Sequence, residues 1–324
     1  MKNGKFSIGR FMRKNVILLL LIAMIIVFSI AQPKFFTVTN LMNIYNQNAS
    51  LMLSACGLAM VIISGGIDLS IGYMASLCGI VAAMLMKNMN VNFIVSIIAA
   101  ILVGTLCGAL NGILSNKLKI HTMIVTLATM TLFQGLSYII SQSKSFSSLP
   151  AAFKFIGQGY LGNLPVSIFA LIAIVAVVSF ILNKTHYGRY VYAIGGNPDA
   201  AHLAGINVER VRLRTFALNG ALVGLAAVLL ISRSGSASSA MGTSLQFDSI
   251  TACILGGVSF TGGSGKVSNA VLGVLCLGVL SNGMQLIGWG IYVQYVVKAI
   301  LLVIAIAFDM YTKNKVLADD AANG

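Results

Sequence analysis

Asn197-Pro198-Asp199-Ala200-Ala201-His202-Leu203-Ala204-Gly205 sits inside the one long polar interruption of an otherwise apolar chain, the segment from Lys184 to Arg214. Charge is concentrated there: Lys184, Arg189, Asp199, Glu209, Arg210, Arg212 and Arg214 lie between two long apolar runs. Asn197 is a good N-cap, Pro198 suits the first helical position, and Asp199 favours the positive end of a helix dipole. Ala200, Ala201, Leu203 and Ala204 continue the helix, and Gly205 ends it as the C′ residue. The expected helix has about seven or eight residues, too few to be stable alone. It needs a groove to lie in, and a membrane protein that spends polar residues here is showing this face to another protein.

Composition makes the bilayer the solvent. Of the 324 residues 58% are hydrophobic and 9% charged, with a mean hydropathy of +0.93, whereas soluble domains carry about 25% charged residues. The formal charge of +14 would suggest nucleic acid in a soluble protein. No basic patch is interleaved with aromatics, so nucleic acid is not expected as a partner, and membrane lipid is. The basic excess reads instead as topology, because Lys and Arg are retained on the cytoplasmic side of membrane helices.

Allowing about 20 apolar residues per crossing, the candidate spans are Val16 to Ala31, Asn48 to Ser64, Gly72 to Met86, Phe93 to Leu114, Thr122 to Ile140, Val166 to Leu182, Leu213 to Ile231, Asp248 to Gly257, Asn269 to Ile287 and Ile291 to Phe308. The eighth is too short to cross alone. The expected fold is therefore all-α and polytopic, with about ten transmembrane helices: a cytoplasmic leader over residues 1–15, a membrane domain over 16–309 with a polar loop at 184–214, and a tail over 310–324. Starting the N-terminus inside puts 15 of the 21 basic residues on the cytoplasmic side and leaves Lys34, Lys87, Lys144, Lys154 and Arg233 outside, with Lys298 within the last span. Both termini and the polar loop are then cytoplasmic. Lys2 to Lys14, the apolar run and Ser29-Ile30-Ala31 also resemble a signal peptide, but in a polytopic chain the first span reads as an uncleaved anchor. The tail from Leu317 to Gly324 reads as disordered.

Cys56, Cys78, Cys107, Cys253 and Cys276 lie in or beside apolar helices, where cysteine is a small hydrophobe, and no C-x-x-C pair occurs. His121, His186 and His202 lack an i, i+4 partner. No metal, cofactor or catalytic constellation is expected on this chain.

Two stretches echo one another. Gly65-Gly66-Ile67-Asp68-Leu69-Ser70-Ile71-Gly72 resembles Gly256-Gly257-Val258-Ser259-Phe260-Thr261-Gly262-Gly263, and Leu106-Cys107-Gly108-Ala109-Leu110-Asn111-Gly112 resembles Leu275-Cys276-Leu277-Gly278-Val279-Leu280-Ser281-Asn282-Gly283. Read in the same order and orientation, they suggest a transporter of two related halves, in which Gly-interrupted hydrophobic segments mark the path. Gly104, Gly108 and Gly112, four residues apart, read as a helix-packing face. The Gly-Gly doublets break helices beside polar residues, and exposed backbone at that depth must line a cavity or be covered by protein. Candidate pathway residues are Gly65, Gly66, Asp68, Ser70, Asn111, Gly256, Gly257, Ser259 and Asn282.

Asp68 is costly in apolar sequence, about 3 kcal/mol or more at bilayer centre. It could gate, bind a solute hydroxyl or carry a proton, or it could cap, with Ser70, the helix beginning near Leu69. Capping is the favoured reading, because the matching Ser259 and Thr261 are capping types without charge. Asp309 is expected to end the last helix at a solvated interface. Asp248 is expected to cap the eighth span or face a solute, and Lys298 to snorkel or pair within the bundle.

Asp199-Ala200-Ala201-His202-Leu203-Ala204-Gly205 resembles the Glu-Ala-Ala-x-x-x-Gly cytoplasmic motif of bacterial ABC importer permeases, with Asp in place of Glu. The flanking Gly188 to Pro198, Ala204 to Val208, the Gly65 to Gly72 run and the glycine-rich Leu255 to Gly265 resemble the ribose-type sugar permease branch, over about Asn40 to Asp309. The resemblance implies a coupling helix (Asn197, Pro198, Asp199, Ala200, Ala201, Leu203, Gly205) and a dimer of permease subunits in the bacterial cytoplasmic membrane. It also implies a cytoplasmic ATP-binding subunit and an extracytoplasmic solute-binding protein. No G-x-x-x-x-G-K-[ST] occurs, and Gly265-Lys266 is followed by valine, so ATP and Mg belong to the partner. The implied cargo is a ribose-like pentose or hexose. An ion-coupled secondary transporter or channel using Asp68 would explain the broken helices equally well, but not the capped loop helix.

Overall fold

The computed structural model describes residues 16–323, and the leader over residues 1–15 lies outside them. In chain order the helices are α1 (Val16–Ala31), α2 (Val38–Ile63), α3 (Ile71–Asn88), α4 (Phe93–Leu118), α5 (Thr122–Ser141), α6 (Ala151–Gln158), α7 (Val166–Lys184), α8 (His186–Gly196), α9 (Pro198–Leu203), α10 (Val208–Ser234), α11 (Thr243–Leu255), α12 (Val267–Leu286) and α13 (Ile291–Asn323). Between α6 and α7, β1 (Tyr160–Leu161) pairs antiparallel with β2 (Leu164–Pro165). Two residues per strand leave the fold all-α.

Among the described residues eight helices, α2 to α5, α7, α10, α12 and α13, are long and apolar enough to span a membrane. With 16 residues in α1 and 13 in α11, a rise of about 1.5 Å per residue leaves α11 near 20 Å, short of a hydrocarbon core of roughly 30 Å. All ten expected segments are thus helices, and α11 is the short one, as expected. Among the helix starts the largest difference is at α2, which begins ten residues before Asn48 with Thr37 as its cap. Its polar first turns (Asn40, Asn43, Asn46, Gln47) lie outside the expected span.

The helices sort by what solvates them. α2 and α10 form the buried centre, with Met52, Leu58, Ile62, Phe216 and Val223 almost wholly enclosed. In α13 no residue between Ile291 and Tyr311 is fully buried, and Tyr292, Val303 and Phe308 point outward, as lipid contact requires. The glycine face that the four-residue spacing marked on α4 packs on α10. A Cβ on Gly104 or Gly108 would overlap the backbone carbonyl of Gly220 or Phe216, so the two backbones touch and gain dispersion contacts that lipid cannot compete for.

The last helix corrects the reading of the tail. α13 runs past Asp309 to Asn323, so neither a stop at Asp309 nor a disordered segment from Leu317 describes it. Nothing in this stretch breaks a helix: it holds no proline, and glycine appears only at position 324.

Candidate functional site

α9 forms as its caps dictate. The Asn197 side-chain oxygen accepts the N–H groups of Asp199 and Ala200, each at 3.0 Å, and Pro198 occupies the first turn. Six residues on, Ala204 is the C-cap and Gly205 takes φ +84°. The Gly205 N–H then bonds the His202 carbonyl, and the Ile206 N–H bonds that of Ala201. The left-handed backbone that lets the chain turn here is open to glycine at little cost. Ala201 faces inward, while Leu203 stands 87% exposed. A cleft of about 810 Å³ runs beside the helix, lined by Asp199, His202, Asn207, Glu209, Lys119 and Arg212 among others.

α8 delivers the chain to this helix. Its two inner tyrosines are anchored: the hydroxyl of Tyr187 bonds that of Thr215 (2.7 Å), and the hydroxyl of Tyr192 donates to the Gly265 carbonyl (2.8 Å). Burial pushes both phenols above their usual range, because a phenolate would lose its water, so Tyr192 keeps the proton that it donates.

Asp68, Ser70 and Asn111 come together in one enclosed network. Asp68 is 0% exposed, in the non-helical segment between α2 and α3. Its Oδ1 accepts the backbone N–H of Ser70 (2.9 Å) and the Ser70 hydroxyl (2.6 Å). Its Oδ2 accepts the amide of Asn219 on α10 (2.9 Å). The Asn111 amide donates to the Ser70 hydroxyl at 2.9 Å and reaches both carboxylate oxygens at 3.4 Å, while Thr129 on α5 donates to its oxygen at 2.6 Å. Backbone groups of the segment are held as well: Ile67 N–H by Thr122 and Leu69 N–H by Thr126. The favoured capping reading holds only in part: Asp68 does accept the backbone N–H of Ser70 at the start of α3, but Ser70 does not cap. Ser70 holds the N-cap position of α3 but its side chain makes no capping bond. Its hydroxyl turns back to Asp68, since a buried carboxylate demands donors more strongly than a helix end does.

The remaining candidates lie elsewhere. Gly65 and Gly257 take φ +82° and +78° and close α2 and α11 with the same pair of bonds, Gly65 N to Ile62 O and Gly66 N to Val61 O, Gly257 N to Ile254 O and Val258 N to Cys253 O. The first echo thus survives with a shift of one residue: Gly65 matches Gly257, not Gly256, and Asp68 matches Phe260, not Ser259. The second echo does not survive. α4 ends beside Glu209, where Asn116 donates to its carbonyl, whereas α12 begins just after Gly263, which bonds the end of α2. The two helices therefore run in opposite senses. Asn111 lies towards the end that carries α9, and Asn282 near the other, paired amide to amide with Asn40 at 2.9 and 3.0 Å.

Ser259 belongs to the second break. Asp309 on α13 accepts the Phe260 N–H at 3.0 Å and the Ser259 hydroxyl at 3.3 Å, so it holds a loop rather than terminating a helix. Asp248 lies within α11 instead of capping it and pairs with Lys298 at 3.0 Å, the pairing alternative for that lysine. Asn219, Thr122, Thr126 and Thr129 were missed. A lone asparagine in the apolar run of α10 was the available signal, since intramembrane polar groups seek partners.

These features define a multi-pass membrane permease: a lipid-facing helical bundle, two glycine-broken helices and a capped helix presented on a loop. Residues 40–306 match the family model described as branched-chain amino acid transport system / permease component, and the chain belongs to that family. It is 36% identical to the ribose import permease protein of Haemophilus influenzae, over 98% of this chain and all of that protein. It is 39% identical to the ribose import permease protein of Bacillus subtilis, over 89% and 90%. It is 36% identical to the L-arabinose transport system permease protein of Escherichia coli K12, over 95% and 94%. No solved structure matches the chain.

Proposed function

We propose that this chain is the membrane-spanning subunit of an ATP-driven ABC importer that carries a monosaccharide, a ribose-like pentose or a hexose, across a bacterial cytoplasmic membrane. The observation that carries the reading is α9, a capped helix with Leu203 turned to solvent, on a chain whose full-length relatives are pentose permeases by name. In this reading Leu203 seats in a groove of a cytoplasmic ATPase, with Asn197, Pro198, Asp199, Ala200, Ala201 and Gly205 shaping the helix that presents it. ATP and Mg²⁺ chemistry stays on that partner. A second copy of the permease completes the channel, and a solute-binding protein delivers the sugar from outside. The charge distribution supports both termini and the α8–α9 loop on the cytoplasmic side.

The breaks closed by Gly65-Gly66 and Gly256-Gly257 then stand at the inner end of the path and act as its cytoplasmic gate. Asp68 serves as the lock that fixes the first break to α4, α5 and α10. A carboxylate already saturated by neutral donors is poorly suited to load and release a coupling ion, which weighs against a secondary transporter. Reconstitution into proteoliposomes with the ATPase and the binding protein tests the proposal: labelled ribose or arabinose uptake is expected only with internal ATP. Uptake driven by an ion gradient without any ATPase would overturn it.

A further inference from the structure

Three segments distant in sequence meet at the bend between α8 and α9 with almost no side chain between them. A Cβ on Gly195 would overlap the carbonyl oxygen of Ile63, the last residue of α2. One on Gly262 would come within 2.8 Å of the Gly65 Cα, and one on Gly263 within 2.9 Å of the Gly196 Cα. Two hydrogen bonds close the junction. The Gly263 N–H donates to the Ile63 carbonyl at 2.9 Å, joining the two helix breaks directly, and the Tyr192 hydroxyl donates to the Gly265 carbonyl at 2.8 Å, joining α8 to the second break.

Backbone packed on backbone has no rotamers through which to absorb a displacement, so such a junction moves as a unit. Both sides of it lead outward. From Gly65 the chain enters the Asp68 network, which reaches α4, α5 and α10. From Gly263 it leads back to Phe260 and to Asp309 on α13.

We infer that the bend formed by Tyr192, Gly195 and Gly196, together with Gly65 and Gly262 to Gly265, is a rigid transmission block that carries the displacement of α9 to both helix breaks at once. Tyr192 is the positioning residue that clamps the second break to the bend. The inference rests on the reading of α9 as the helix that receives the ATPase, yet it can fail separately, because Tyr192 acts after docking.

Tyr192→Phe removes one hydroxyl and leaves the ring. In the assembled transporter the variant is expected to retain its ATPase through purification and to hydrolyse ATP at the wild-type rate. Sugar uptake per ATP hydrolysed should fall roughly three- to tenfold, the scale of one lost hydrogen bond. An unchanged ratio overturns the clamp, and so does loss of the ATPase, which would make Tyr192 part of docking. Rigidity is read independently by spin labels at Arg189→Cys and Ser264→Cys, both exposed positions, one on each side of the junction. The wild-type background should give one distance distribution that does not move between nucleotide-free and ATP-bound complexes. A nucleotide-dependent change in that distance would show two parts sliding past each other and would sink the proposal. If variants of α9 itself left ATPase binding and uptake intact, the reading of α9 would fail instead, whatever Tyr192 does.

Discussion

The two helix breaks close their helices in the same way and are anchored in opposite ways. After α2, the segment from Gly65 to Ser70 is gripped by side chains from α4, α5 and α10, all converging on Asp68 or its neighbours. After α11, the loop from Gly256 to Lys266 has no carboxylate of its own and borrows Asp309 from the lipid-facing helix α13. The first is held along its length by an enclosed polar network, whereas the second is fixed to α2 and α8 at its Gly263–Gly265 end and hangs on Asp309 of the exposed α13 at its Ser259–Phe260 end. Stiffness throughout the first break, and freedom confined to the Ser259–Phe260 end of the second, follow from that difference, since the opening free energy of a region tracks its buried contacts.

The sharpest way to break the comparison is Asp68→Leu. It strands the Asn219 amide and both donors of Ser70, and each orphaned buried group costs about 1–3 kcal/mol. Loss of the monodisperse, folded protein in detergent is expected, read by size-exclusion profile and melting temperature. Asp68→Asn should cost far less, on the order of 1–2 kcal/mol, because the Asn219 oxygen has no partner and a turn of that amide presents it to the new donor. Uptake should persist in this variant. If it vanished while the fold remained, the charge would matter in its own right and the lock account would fail.

Asp309→Ala probes the looser break. Two bonds at a half-buried site are worth about 1–2 kcal/mol together, so the protein should stay folded and lose uptake more than melting temperature. An equal loss to Asp68→Leu in thermal stability would erase the contrast. The smallest effect is expected at the ion pair between α11 and α13. Lys298→Met alone should cost about 1 kcal/mol or less, and pairing it with Asp248→Asn should recover most of that, as the coupling energy of a partly solvated pair is small; a double-mutant cycle on melting temperature reads it.

Local signals carried most of what the sequence made legible. Apolar length located the spans, Asn197 and Gly205 bounded α9, and four-residue glycine spacing marked the packing face of α4, because each is written within a few turns of one helix. What escaped notice depends on residues far apart. Asn219 reaches Asp68 across 151 positions and Asp309 reaches Phe260 across 49, and nothing local distinguishes such partners from other polar residues at helix positions. The echo between the breaks was visible but misaligned by one residue. Identity of letters paired Gly65 with Gly256, whereas the left-handed backbone pairs it with Gly257. The capping reading of Asp68 rests on its match to the uncharged Ser259 and Thr261, and it does not foresee the three amide and hydroxyl donors that fold around the carboxylate.

The central claim is that α9 hands ATPase force to the two breaks, and Leu203, 87% exposed, is the side chain through which it is tested most directly. Leu203→Asp should leave melting temperature and detergent behaviour unchanged, since that side chain is largely uncovered among the described residues, while the ATPase no longer copurifies and ATP-dependent sugar uptake in proteoliposomes disappears. A Leu203→Asp protein that still holds the ATPase and takes up sugar at the wild-type rate would contradict the account.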